Sequence, residues 1–217
     1  MREGERRDGI FRRYIFVFGF ICIPLQHQTI NDMEGMQLGT SPVMQRDVLE
    51  FVTVAVQYCA FLESAEQKER EEFVDTILKL LPLLYLKGLL LPQMEADEDV
   101  ELEDAVTEEN YDIIRNNVAF VMGEKDDYLD VFMEDMKYSE SPILVTISEN
   151  LADIYQDLKN FVSVYRDGTE ETMAQAIVVC KEYFETYWGQ RLVNVMRACS
   201  SIAASICAWI SEEASFA

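Results

Sequence analysis

Apolar residues fall at steps of three and four along most of the chain, the period of a helix with one buried face. Val48, Val52, Ala55, Cys59 and Leu62 mark the first such face, with Asp47 or a residue just before it as the start. A second helix is predicted from about Gln67 through Phe73, Ile77, Leu80, Leu81, Leu84 and Leu91. After Leu78 it is apolar on nearly all sides, which predicts central burial. Pro82 stands inside it and predicts a kink or restart with Leu81 as the boundary, because a mid-helix proline costs about 3 kcal/mol. Thr107 reads as an N-cap, followed by Glu108 and Glu109 in the first turn; Tyr111, Ile114, Val118 and Val121 form the third face, and Gly123 ends it. Asp126 is expected to start a short fourth helix carrying Tyr128, Leu129, Phe132 and Met136, before a loop over residues 137–146 with Pro142 near its middle.

The fifth helix has the clearest period in the chain: Ile147, Leu151, Ile154, Leu158, Phe161 and Tyr165, closed by Gly168. The sixth begins near Thr169 and runs through Ile177, Phe184, Trp188, Leu192, Val195, Cys199 and Ile202, with Gly189 as a point where it bends. Strand alternation is nowhere sustained and no fixed repeat appears. The expected fold is all-α, a compact bundle of about six helices with no sheet.

Composition narrows the class. The chain of 217 residues carries 18 Lys and Arg against 40 Asp and Glu, a formal net charge of −22, with 49% hydrophobic residues, 9 Gly and 5 Pro. So apolar a chain can build a core, and so few turn residues argue against an all-β fold. A strongly negative surface repels phosphate backbones and anionic bilayers, so no nucleic acid and, for residues 33–217, no membrane is expected as a partner.

The only basic cluster is Arg2, Arg6, Arg7, Arg12 and Arg13, ahead of the apolar run Ile15 to Leu25. This order resembles a secretory signal, but Gln26-His27-Gln28-Thr29 offers no small-residue cleavage site, and Met33 and Met36 offer alternative starts. An over-long translation start and a signal or anchor both remain open. Residues 1–32 are therefore set apart as an N-terminal extension, and residues 33–217 are expected to form a single helical domain. The five cysteines, Cys22, Cys59, Cys180, Cys199 and Cys207, contain no C-x-x-C pair, which favours a reducing compartment and so the cytoplasm.

Several blocks occur in a familiar order: FVTVAVQYCAFLE from Phe51, LLPLLYLKGLLLP from Leu80, VTEENYDIIRNNVAFVMG from Val106, DDYLDVF from Asp126, ISENLADIYQDLKNFV from Ile147 and WGQRLVNVMRA from Trp188. Over roughly residues 45 to 200 this order resembles an uncharacterised domain-of-unknown-function family (family 5063) of acidic helical proteins from Bacteroides-type bacteria. The resemblance implies an intracellular bacterial all-α domain and no catalytic residue. Residues 1–32 and the tail after Ser200 fall outside it.

Candidate chemistry is defined mostly by what is missing. The sole histidine, His27, lies in the N-terminal extension, so triads, His-ligated zinc and His base catalysis lack their central group. Neither a G-x-x-x-x-G-K-[ST] loop nor a G-x-G-x-x-G turn is present. Glu149, Asp153 and Asp157 recur at i, i+4 and i+8 on the fifth helix, flanked by Gln156 and Asn160. With a second acidic helix opposite, such a stripe could hold Mg²⁺ for hydrolysis of nucleotide-like phosphates. As the polar face of an amphipathic helix, it needs only solvent. Tyr111, Arg115, Tyr128, Tyr155 and Trp188 could line a binding groove, or sit half-buried where helices meet. The acidic run from Pro92 to Val106, with seven acids and no base, reads as a solvated linker. The leading expectation is a non-enzymatic protein-interaction module with an unidentified protein partner and no cofactor; Mg²⁺ enters only with the hydrolase alternative.

Overall fold

A computed structural model describes residues 41–95, 101–130 and 143–216, with side chains through residue 206. They belong to one compact unit, Thr40–Ala217. The N-terminal extension with His27 and its arginines, the centre of the acidic run, and residues 131–142 with Phe132, Met136 and Pro142 lie outside the described residues.

The structure is mostly helical. A short 3₁₀ turn, Pro42–Met44, leads into α1 (Arg46–Glu63), then α2 (Arg70–Leu89) and α3 (Glu108–Met122). β1 (Asp127–Leu129) and β2 (Leu144–Thr146) follow, then α4 (Ile147–Asp167), α5 (Glu170–Tyr183) and α6 (Gly189–Phe216). A π-helical turn, Phe184–Trp188, joins α5 to α6, so the described residues form five helical rods. The helix ends follow their cap residues. The hydroxyls of Thr107, Thr146 and Thr169 accept the N–H groups of Asn110, Glu149 and Thr172, each satisfying a donor the first turn leaves free. Gly123 closes α3 at φ 52°, where a Cβ would be strained.

α4 is the central rod and packs against α1, α3, α5 and α6. Its predicted stripe, Ile147 through Tyr165, is buried throughout. An aromatic column ties the rods together: Phe161 meets Phe51 at 5.3 Å, Phe51 stacks on Trp188 at 6.5 Å, and Trp188 meets Phe184 at 4.7 Å. The Phe184 ring lies over Gly88 of α2, where an added Cβ would come within 3.1 Å of it. The π turn is closed by the Gly189 N–H donating to the Phe184 carbonyl, and its extra residue lets Phe184, Trp188 and Leu192 all face the core.

Three expectations change. The chain is not free of strands: β1 and β2 form a small antiparallel ribbon, Tyr128 opposite Val145, too short to show as alternation. Asp126 does not start a fourth helix. It caps α4 from a distance: its carboxylate accepts the Ser148 N–H at 2.8 Å and the Ser148 hydroxyl at 2.5 Å, and its carbonyl accepts the Ile147 N–H at 2.9 Å. A local cap pattern was thus satisfied by a helix that begins 21 residues later in the sequence.

α2 also runs unbroken through Pro82 and is not buried all round. Phe73, Ile77, Leu81, Leu84 and Gly88 form its inner face, while Pro82 is exposed. The Leu78 carbonyl loses its N–H donor there, and the exposed proline puts that gap in the ladder near the helix surface. No helix among the described residues is long and apolar enough to cross a membrane.

Candidate functional site

The acidic stripe of α4 does not form a solvated outer face. Because α4 is central, only Glu149 of the three carboxylates is exposed. Asp153 sits among α3, the π turn and α6. Its Oδ1 accepts the Tyr111 hydroxyl at 2.8 Å, and its Oδ2 accepts the Tyr187 hydroxyl at 3.1 Å and pairs with Arg191 at 2.9 Å. The Arg191 guanidinium also lies 4.3 Å from the Tyr187 ring centroid and donates to the Asn150 amide oxygen at 2.6 Å. Asn150 in turn donates to the Tyr128 hydroxyl at 2.7 Å. A cation, two amide or carboxylate acceptors and three phenols thus form one closed network, and it stitches β1, α3 and α6 to α4.

Asp157 has a different environment. It lines a cavity of about 340 Å³ between α4, α5 and the strap of residues 102–104. Its Oδ2 is buried and accepts no hydrogen bond from any described residue, and the same holds for Oε1 of Gln175 on α5. Burial, with the charge of Asp153 added, pushes the Asp157 carboxyl up to about 7. The strap is fixed by Asn160, whose side-chain oxygen accepts the N–H groups of Ala105 and Val106, both at 2.9 Å, while its amide donates to Asp104 at 2.7 Å. Part of the acidic run is therefore structured wall rather than free linker, with Val106 buried.

Glu149, Asp153 and Asp157 are not brought together as a ligand set: one faces solvent, one is matched by Arg191 and one opens on the cavity. Among the described residues, no three His, Cys, Asp or Glu side chains stand close enough to hold a metal ion. Of the five residues considered for a groove, Trp188 is fully buried in the aromatic column and Tyr155 is buried with its hydroxyl on Glu63, so neither presents a surface. Tyr111 and Tyr128 belong to the polar network. Arg115 pairs with Asp112 of its own helix at 3.0 Å. Cys59, Cys180 and Cys199 are free and buried, and burial raises all three thiols, Cys59 and Cys199 to about 12, which leaves them unreactive.

Arg191, Asn194 and Gln175 were not singled out from sequence. Tyr187, Arg191, Asn194 and Arg197 recur at steps of three and four, and that polar stripe on an otherwise apolar helix is the signal that marks them. Asn194 and Arg197 hold β1 in place, through Asp130 at 2.7 Å and the Leu129 carbonyl at 2.9 Å.

The structure also exposes an apolar side of α2. Leu83, Leu86, Leu89 and Leu90 retain 42%, 50%, 58% and 45% of their accessible surface.

Comparison with known proteins agrees with this architecture. The family described as Domain of unknown function (DUF5063) matches residues 43–205. The crystal structure of protein BF1032 from Bacteroides fragilis is similar, with 47% sequence identity and a TM-score of 0.67 over 74% of this chain and 94% of that one. No curated protein matches. With the family pattern spanning most of its length and a solved relative nearly half identical to it, this chain belongs to the DUF5063 family.

Proposed function

We propose that this chain is a non-enzymatic, cytoplasmic protein-interaction module that holds a basic, amphipathic helical segment of a partner against the outer side of α2. The observation that carries the reading is the exposure of Leu83, Leu86, Leu89 and Leu90. Leu83, Leu86 and Leu90 fall at i, i+3 and i+7, one stripe of the helix, with Leu89 beside it. Leaving about half of a leucine side chain in water forgoes roughly half of the 1.5–3 kcal/mol that full burial gives, and exposed apolar surface of this kind belongs to interaction sites. The core does not need these four, since Leu81, Leu84 and Gly88 already fill the inner face of α2.

Charge selects the occupant. A chain with net charge −22 repels a second copy of itself and attracts a basic partner. A helix with apolar anchors and flanking Lys or Arg meets both the leucine stripe and the charge. Three buried free cysteines accord with the reducing compartment. The Mg²⁺-dependent hydrolase reading has less support, because Asp153 already faces Arg191 at 2.9 Å.

The test places a photo-crosslinking side chain at position 86 of the full chain in its native cell, with position 124, exposed on another element, as control. Crosslinks from position 86 alone, mapped to a basic amphipathic segment and abolished by Leu83→Asp with Leu90→Asp, are expected. Equal capture from both positions, or capture only of the chain itself, overturns the reading.

A further inference from the structure

We infer that the strap, from Glu101 to Val106, is a proton-controlled latch: it lies closed over α4 while Asp157 is neutral and loosens when Asp157 ionises. One side chain fastens it. Among the described residues, every hydrogen bond that ties the strap to a helix ends on Asn160, whose oxygen accepts the N–H groups of Ala105 and Val106 and whose amide donates to Asp104. Apart from that clamp, the strap is held by Val106, which is buried, and by Leu102, which packs against the core. Space adjoins it as well. Beside the cavity of about 340 Å³ between strap, α4 and α5, a cleft of about 400 Å³ separates the strap from the turn between α4 and α5. A segment with so few buried contacts and a single clamp opens locally, at far less cost than the rods beneath it.

Charge opposes the closed state. Asp157 stands on α4 one turn before the clamp and lines the same cavity as Glu103 and Asp104 of the strap, and among the described residues no Lys or Arg lines that cavity or the cleft. A negative charge on Asp157 therefore meets like charge where water screens little. The other groups around Asp157 do not cancel this. Asp153, on the same helix, adds negative charge; Arg191 of α6 is the one cation acting on it, and its short contacts go to Asn150 and Asp153. Cys180 and Tyr183 of α5 share the cavity, and Tyr187 of the π turn also feels the Asp157 charge; burial raises Cys180 and Tyr187 above their ordinary values, so both stay protonated near neutrality. Burial, ahead of the charge of Asp153, pushes the Asp157 carboxyl up to about 7. Lifting the strap admits water to the cavity, and a hydrated aspartate releases its proton at about 3.9. Between those values the open form is ionised and the closed form is not, so opening grows easier as pH rises from about 4 to about 7 and gains nothing further above that. The latch shares no residue with the outer side of α2 and is independent of the function proposed for that face.

The experiment follows amide hydrogen exchange in the full chain at constant ionic strength from about pH 5 to about pH 7.5, each rate divided by that of an unstructured peptide at the same pH. Protection of the Ala105 and Val106 amides is expected to fall about tenfold or more across this range, while remaining below that of the α4 core amides throughout. In Asp157→Asn, where nothing ionises at that position, it should stay flat. Protection that does not change with pH in the unaltered chain, a fall that persists in Asp157→Asn, or strap protection equal to that of the α4 core at every pH overturns the latch. A reciprocal measurement leaves position 157 unaltered: releasing the clamp with Asn160→Ala should lower the titration midpoint of the Asp157 carboxyl carbon, read by NMR, by about one unit or more. A midpoint left in place while the two strap amides exchange freely overturns it equally.

Discussion

Asp153 and Asp157 stand one turn apart on the same helix, in different surroundings. Arg191 reaches Asp153 at 2.9 Å, while Asp157 keeps a buried oxygen that accepts no hydrogen bond from any described residue. Asp157 is held to about 7, against about 3.9 for an aspartate in an unfolded chain. Between those values the folded chain keeps a proton that the unfolded chain has released, so stability falls as pH rises through this window, and the full cost applies above about pH 7. Asp157→Asn removes that cost. It is expected to stabilise the protein at pH 8 by on the order of 1–2 kcal/mol, a figure reduced from the full shift because the side chain keeps some solvent contact. It should also flatten the urea midpoint between pH 4 and 7, and a variant with an unchanged pH profile would show that Asp157 is solvated.

At the scale of elements, the devices that matter are caps and clamps reaching across the chain. Asp126 is buried and spends its carboxylate on the first turn of α4, where the free N–H groups and the helix dipole both favour an anion. Asp126→Ala leaves the Ser148 N–H unmet and its hydroxyl with Thr146 alone, and is expected to cost about 2 kcal/mol in chemical denaturation, with Asp126→Asn recovering part of it. Asn160 plays the matching role for the strap. Asn160→Ala strands the N–H groups of Ala105 and Val106, and hydrogen exchange at those two amides should accelerate at least tenfold while the α4 core stays protected. Slow exchange retained at both amides would mean that the strap is held by packing of Val106 and Leu102 alone.

For the molecule as a whole, charge is the largest unbalanced quantity. Residues 33–217 contain 13 basic and 36 acidic side chains, so few acids can find a partner. Ion pairs such as Lys79 with Asp75 at 2.6 Å are exposed and contribute about 0–1 kcal/mol each. Self-repulsion over a Debye length of about 10 Å at 0.1 M salt therefore opposes compaction. Raising NaCl from about 10 mM to 0.5 M is expected to lift the thermal midpoint by several degrees; a flat or falling midpoint would show that the surface acids are already locally compensated.

The sequence by itself determined that the chain is mostly helical, and where several helices begin and end, because a period of three to four residues and a threonine cap are local properties of the chain. The stripe from Ile147 to Tyr165, the Thr107 cap and the Gly123 stop were all legible in this way. Tertiary structure decided the rest. Whether the acids of α4 faced water depended on how many rods surrounded that helix; whether Asp126 opened its own helix or capped another depended on where Ser148 arrived; and whether the leucines of α2 were core or surface depended on which side α1 and α6 occupied. Each of these is a contact between residues far apart in the chain, and neither periodicity nor composition records which distant groups a side chain will meet.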